Sequence, residues 1–539
     1  MGTSSQDEIN LMSDLYLRKR ALESASCEIR TKLETGLQEL QGEFDARFGK
    51  LSDEIEALFQ RVSNAPLQIK APHAHGQRKL FFPQESLLSK MLDYEDEHYK
   101  TIFNMFVCVL LLWGLSLAFE DFARDQGSYH FELLTWGLWR DIGSFVRFWL
   151  LMFCASFVIV PLAHVAAEAR PRSRVVYLSS CATYVALQIG LFMYSTYVVT
   201  RSGGLDRAIF AVPLGLGFML EQCRMSMKAH SYYREKVLWS EFGGNYACAP
   251  QSARLVLFET VGLPARDYLS KEMGKFCYFH FAPTLVYRDA YPLTRRIRWF
   301  FVLCRGLEFV GIIYYAFCIF REVLPHFEAA AALGRAVSLV DFTRSLFRSM
   351  APAMACMTFC HFLVLHVVQN IGAELTRFAD REFYSDWWNS RNFSVFYRSW
   401  NGVVHDFVKS YLYMDLVQFC GLSKLAALLT SFLVSALVHE YILSVALGFF
   451  LPILGLLFGG PGVLFIILTK NQTGRVWNGF MWLTLATGNA ALMVLYTSEY
   501  FSRAKGVPAA DPLSGRAWAE LGMWDALVPR IYRIQVAEQ

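Results

Sequence analysis

Apolar runs of about 18 residues or more recur between residues 102 and 498. Each is long enough to cross a bilayer core as a helix. The pattern predicts nine spans, at 102–119, 144–167, 175–199, 207–223, 299–320, 350–370, 425–446, 448–469 and 478–498. The expected fold class is therefore an all-α polytopic membrane protein. Ahead of the spans the period changes. Leu15, Leu22, Ile29, Leu33, Leu37, Leu40, Phe44, Phe48, Leu51, Ile55, Leu58 and Val62 recur at sevens, threes and fours, with charged residues between them. One extra four after Phe44 makes this a heptad seam with a stutter. Residues 1–65 are thus expected to be a helical region that self-associates; a single amphipathic helix lying on a surface is the alternative. Residues 66–100 read as a linker and amphipathic segment, 101–500 as the membrane domain, and 501–539 as a tail.

Basic residues orient the spans. Arg170, Arg172 and Arg174 crowd the loop after the second span, and the polar segments 224–298 and 371–424 are rich in Lys and Arg. These belong on the cytosolic side, together with the N-terminus. Nine spans then carry the C-terminus to the opposite, luminal side. The glycosylation patterns at Asn392 and Asn471 fall on the cytosolic side and are expected to stay unmodified. Polar residues fill the first hundred positions, so the first span itself is expected to direct insertion. Gln6 stands where a myristoylation pattern requires Ser or Thr.

Only 18% of the residues are charged and the net charge is +4, which gives no reason to invoke nucleic acid. No CxxC pair or Cys/His metal spacing appears. Cys108, Cys154, Cys181, Cys318, Cys356 and Cys360 sit in apolar runs and are expected to be small core residues.

Several polar groups interrupt this apolar background. His439, in SALVHEYILSV, lies about 14 residues into its span, roughly 21 Å deep at the helical rise. An ionisable group at that depth is a functional-site candidate by default. The competing reading is a buried histidine bonded to a neighbouring helix carbonyl. Leu443 occupies the place of the second ligand in HExxH, so no metal is expected. A neutral imidazole there would take a proton from a hydroxyl that enters from the bilayer. The stretch FYSDWWNSRNFSVFYRSWNGVVHDF, residues 383–407, supplies rings and amides. Trp387, Trp388, Trp400, Tyr384 and Tyr397 suit an interfacial belt. Asn389 and Asn401 can donate to a developing oxyanion or hold a polar ligand. His405 and Asp406 extend the polar line, and His361, His366 and Asn370 lie on another span. Lys228, His230 and Arg234 follow the fourth span and would attract anionic lipid heads or a phosphorylated acyl carrier.

FYSDWWN, residues 383–389, resembles the FYxDWWN signature of the membrane-bound O-acyltransferase family, in the branch of the sterol and diacylglycerol O-acyltransferases. LVHEY around His439 resembles that family's catalytic histidine motif, SWN its partner asparagine at Asn401, and FAPTLVYRD (281–289) a further shared stretch. VHDF at 404–407, MKAHSYYRE at 227–235 and the polar N-terminal helical region look sterol-type. The resemblance implies acyl-CoA as co-substrate with no bound cofactor, and a sterol such as cholesterol as acceptor. It implies steryl ester as product, a catalytic domain over 101–500, the endoplasmic reticulum membrane, and a homodimer or homotetramer. It makes His439 the base and Asn401 the oxyanion or thioester partner. Trp400, Tyr384, Trp388, Asn389, His405 and His366 would line the substrate path, and Tyr413, Lys424 and Ser435 would contact CoA. Vertebrate sterol enzymes carry paired cysteines near the C-terminus; none follows Cys420 here, so that disulfide is not expected. A diacylglycerol or other alcohol acyltransferase is the nearest alternative. A non-enzymatic lipid binder or transporter is the second.

Overall fold

The computed structural model describes Lys32, Thr35, Gly36, Gly42 and residues 79, 81–88, 97–124, 142–201, 211–237, 265–332 and 339–505. The chain divides into two compact units, Met1–His75 and Gly76–Gln539. In the first, the four described residues are helical. The heptad seam from Leu15 to Val62 and the tail beyond Lys505 lie outside the described residues.

The described part of the second unit is built from helices. They are α1 (Glu97–Arg124), α2 (Ile142–Ser156), α3 (Ile159–Ala169), α4 (Arg174–Arg201), α5 (Ala211–Val237), α6 (Ala265–Phe281), α7 (Trp299–Ala332) and α8 (Leu339–His361). Then follow α9 (Gln369–Leu375), α10 (Phe393–Trp400), α11 (Gly402–Val408), α12 (Met414–Gln418), α13 (Lys424–Leu447), α14 (Ile453–Leu457), α15 (Val463–Thr469) and α16 (Arg475–Ala504).

Among the described residues, six segments are long and apolar enough to cross a membrane: Ile142–Ala169, Arg174–Thr200, Trp299–Ala330, Leu339–Leu375, Lys424–Leu447 and Arg475–Ala504. They contain six of the nine expected spans. The other three fall on helices of different character. The expected span 102–119 lies within α1, whose described apolar stretch is Val107–Ser116. The described part of the expected span 207–223 opens α5, which runs on to Val237 and buries polar side chains, Gln222, Lys228 and Ser231 among them. The expected span 448–469 is interrupted. Gly448 ends α13 in the left-handed conformation (φ 81°), the usual helix stop. The following apolar helix, Ile453–Thr469, carries a widened turn at Phe458–Gly462 with Pro461 inside it.

The six cysteines expected in the core are not buried. Cys108, Cys154 and Cys360 are exposed, and Cys181, Cys318 and Cys356 are intermediate. A thiol is apolar enough to face lipid as readily as protein.

The main core joins α3, α5, α6 and the 378–396 region through Ile159, Ala163, Tyr232, Phe276, Phe279, Tyr287, Phe378, Trp387 and Phe393. Elsewhere α8 packs along α16. MKAHSYYRE and FAPTLVYRD, which sequence reading keeps apart, are packing partners. Lys228 is 2% exposed and donates to the carbonyls of Phe279, His280 and Ala282 at 2.6, 3.0 and 2.7 Å. It thus caps the C-terminus of α6, where a cation is favoured. Lys236 and Lys275 share Glu272 and Asp289 in a buried square of charges, with contacts of 2.7–3.2 Å. Arg234 pairs with Asp415 at 2.6 Å, and His230 Nδ1 meets the Tyr184 hydroxyl at 2.7 Å. The cations expected to attract lipid heads or an acyl carrier are therefore committed inside the protein.

Burial pushes the Asp289 carboxyl up, but Lys236 and Lys275 overcome this and hold it well below its ordinary value. Such a group contributes stability that is present above the unfolded value, about pH 4, and lost as pH falls through the lower folded value. Asp289→Asn is expected to lower the melting temperature at neutral pH, with the deficit shrinking as acid is added. Thermal melts of wild type and variant in detergent across that range check this. Lys228→Met strands three carbonyls and is expected to cost about 2 kcal/mol or more, read in the same melts.

Candidate active site

His439 sits on α13, whose first turn is capped by Ser423 accepting from the Ala426 N–H at 3.2 Å. From Lys424 it lies about 22 Å along the helix. Its Nδ1 donates to the Ser435 carbonyl at 2.7 Å. That bond selects the tautomer and leaves Nε2 with a lone pair. The ring is exposed rather than enclosed by protein, with Phe458 stacked on it at 6.0 Å between centroids.

Glu440, one residue on, is in a different environment. It is 4% exposed and accepts from Gly455 N–H at 3.0 Å and from the Tyr496 hydroxyl at 3.0 and 3.1 Å. It ties α13 to α14 and α16. The adjacent carboxylate is thus an anchor, and the imidazole is the group left open.

Asn401 lies between α10 and α11 in an extended conformation. Its Oδ1 accepts from Val404 N–H at 3.0 Å, capping α11. That bond turns the amide so that the carbonyl is used in the fold and the NH2 remains for other work. The turn is held from outside as well. Gly402 N–H donates to the Phe383 carbonyl at 2.9 Å, and a Cβ there would meet that carbonyl at 3.2 Å. This close approach favours glycine. Ser385 N–H donates to Ser399 O at 2.9 Å, and His361 Nε2 donates to Trp400 O at 2.9 Å.

His439 and the Asn401 turn are linked by an aromatic wall. Tyr397, one turn before Asn401, packs on Phe432 at 5.0 Å and on Phe458 at 5.3 Å. Phe432 belongs to α13 and Phe458 touches His439. The wall and the Glu440 clamp escape sequence reading. The break Gly459-Gly460-Pro461-Gly462 in an apolar run is the signal that marks their place.

The remaining expected site residues separate. Tyr384 is 4% exposed, and its hydroxyl meets His366 Nδ1 at 2.9 Å, while Arg305 donates to His366 Nε2 at 2.7 Å. Trp400 packs on His361 at 4.2 Å and on Trp387 at 4.7 Å. Trp387 is itself 3% exposed. These rings form an internal aromatic cluster, where an interfacial belt is the expectation from sequence. The Trp388 carbonyl accepts from Asn478 Nδ2 and Trp482 Nε1 of α16 at 2.8 and 3.2 Å. Asn389 is exposed, beside Asp386, Arg391 and Thr473 in an open cleft away from the aromatic wall's described contacts. His405 is half-buried, with Nδ1 3.7 Å from Asp406. Tyr413 is half-buried, Lys424 is exposed at the start of α13, and Ser435 contributes the carbonyl that orients His439. Among the described residues no group of three or more His, Cys, Asp or Glu gathers as a metal site.

Residues 176–498 match the membrane-bound O-acyltransferase family. Sterol O-acyltransferase 1 of Macaca fascicularis is 33% identical over 470 residues, covering 84% of this chain and 79% of the relative. Sterol O-acyltransferase 2 of Rattus norvegicus is 32% identical over 467 residues, covering 84% and 80%. Sterol O-acyltransferase 2 of Homo sapiens is 30% identical over 492 residues, covering 90% and 87%. With its motifs in place and more than half its length matched, this chain belongs to the membrane-bound O-acyltransferase family.

Proposed function

We propose that the protein transfers a long-chain fatty acyl group from acyl-CoA to the 3-hydroxyl of a sterol, cholesterol being the reference acceptor, and releases a steryl ester for storage. The reading is carried by His439, whose Nδ1 is committed to the Ser435 carbonyl, so that Nε2 is the free basic atom. The names of the relatives support the sterol acceptor.

In this mechanism His439 Nε2 takes the proton of the sterol hydroxyl as its oxygen attacks the thioester carbonyl carbon. The Asn401 NH2 donates to the oxyanion that forms. Collapse breaks the carbon–sulfur bond, and the CoA thiolate takes the proton back from His439. No acyl-enzyme is needed, because the thioester is already activated. Tyr413 and Lys424 serve the CoA head, with Ser435 beside them on α13. Lys424 stands at a helix N-terminus, where a cation is disfavoured unless an anion offsets it, and CoA phosphates provide one. Trp400, Tyr384, Trp388, Asn389, His405 and His366 shape the path, Tyr384 and His366 as a bonded pair. The enzyme resides in the endoplasmic reticulum membrane with a cytosolic N-terminus and a luminal C-terminus. Residues 1–65 assemble it into a homodimer or homotetramer, 66–100 link to the catalytic domain at 101–500, and 501–539 form the tail.

Purified protein in detergent, given labelled oleoyl-CoA with cholesterol or with diacylglycerol, tests this. Steryl ester is expected, and His439→Ala is expected to reduce it on the order of 1000-fold. Triacylglycerol in its place would keep the mechanism and overturn the acceptor. Unchanged esterification by a folded His439→Ala protein would sink the assignment.

Asn401 calls for a paired comparison. Asn401→Ala removes both cap and donor, costing about 1 kcal/mol of stability and on the order of 100-fold in rate. Asn401→Asp keeps a capping oxygen but has no NH2. It is expected to melt like wild type while losing activity as severely as the alanine variant; wild-type turnover by Asn401→Asp would reject the donor role.

A further inference from the structure

Residues 79–88 follow the polar N-terminal region and precede the first helix, and no motif marks them. In the fold they lie against the segment that leads to Asn401. Gln84 and Asp380 form an isolated parallel bridge. Gln84 N–H donates to Ala379 O at 2.9 Å, and Arg381 N–H donates to Gln84 O at 3.0 Å. The Asp380 carboxylate, 4% exposed, accepts from Phe82 N–H at 3.2 Å and from Gln84 Nε2 at 2.8 Å. Phe81 packs edge-on against Tyr291 and Phe378, with centroids at 5.2 and 5.9 Å. Ser86 is 1% exposed. A segment with this many specific partners is part of the folded domain.

Its contacts converge on one turn from two sides. On the first side, the bridge fixes residues 379–381, and two residues later the Phe383 carbonyl receives Gly402 N–H. On the second side, Lys79 Nζ lies 3.0 Å from Asp406 Oδ2, both side chains being 25% exposed. Asp406 belongs to α11, the helix that Asn401 caps. Burial pushes the Asp406 carboxyl up, but its bond with His405 and the Lys79 charge overcome this and hold it below its ordinary value. Asn401 is therefore gripped between Gly402, held through the bridge, and Asp406, held through Lys79.

We propose that Lys79 and residues 81–88 serve as a strap that positions the Asn401 turn for acyl transfer, with Lys79 acting as a positioning residue through Asp406. Lys79 touches neither substrate. It sets the orientation of α11 and so the direction of the Asn401 amide. Asp406, which resemblance connects with the sterol acceptor, has a physical role on this account as the anchor for the strap.

This inference rests on the reading of Asn401 as oxyanion donor, and two readouts separate the two. The first is amide hydrogen exchange over 400–408, where Gly402 and His405 N–H donate to Phe383 and Asn401 carbonyls. It needs no substrate. The second is steady-state esterification with cholesterol and oleoyl-CoA. Lys79→Met is expected to speed exchange over 400–408 and to lower kcat about three- to tenfold, the range that one half-buried ion pair can transmit. KM for oleoyl-CoA is expected to stay within about twofold, since the binding groups are untouched. Lys79→Arg, and the exchange of charges in the double variant Lys79→Asp with Asp406→Lys, are expected to restore most of both. Faster exchange without a kcat effect would overturn the strap's role in acyl transfer, while the donor role of Asn401 stands or falls with Asn401→Asp. Wild-type exchange in Lys79→Met, or a kcat loss that charge exchange does not rescue, would overturn the strap. Gln84→Leu, which removes only the side-chain bonds to Asp380 and Glu382, supplies a second variant should Lys79→Met fail to fold. It is expected to act in the same direction.

Discussion

Backbone satisfaction in the unwound segment between α9 and α11 governs the rest of the site. A chain that leaves the helix among packed helices must find a partner for each buried polar group. Here the partners come from many directions: Asn478 and Trp482 on α16, His361 at the end of α8, Ser399 within α10, and Gln84 ahead of the first helix. All but the Gln84 bonds also fix a residue of the FYSDWWN–SWN region, and those of Gln84 hold residues 379–382 just before it. The same requirement that makes the segment costly to build makes it rigid, and rigidity is what an oxyanion donor needs.

Two adjacent residues on α13 illustrate how helical geometry divides labour. His439 and Glu440 are separated by about 100° around the helix. That rotation sends the carboxylate between α14 and α16, where Tyr496 and Gly455 hold it, and leaves the imidazole open beside Phe458. Read as a string, HEY offers two ionisable groups side by side. Read in space, one is an anchor that fixes the helix and the other is the group it presents.

The cationic residues follow a similar logic. Lys228, Lys236, Lys275, Arg234 and Arg288 cluster between α5, α6 and the 282–298 loop, and their partners are carbonyls and carboxylates of the same domain. A sequence rich in Lys and Arg next to apolar runs invites a reading as a lipid-facing patch. Positive charge in this cluster is internal cement, where a polar layer must be joined to apolar helices without leaving charges unpaired.

The sequence by itself determined the all-helical membrane class and six of the long apolar segments, and it singled out His439 as a candidate, because hydropathy and an ionisable residue inside an apolar helix are local signals. It also marked the FYSDWWN and SWN stretches by their density of rings and amides. Tertiary structure alone decided the rest. Hydropathy does not register the left-handed Gly448 that ends α13 or the widened turn at 458–462. Side-chain type does not reveal partner, so Lys228 looked available and is capped, and Trp387 looked interfacial and is buried. The strap at 79–88 carries no motif. Its contacts join residues nearly 300 positions apart, and only folding brings them together.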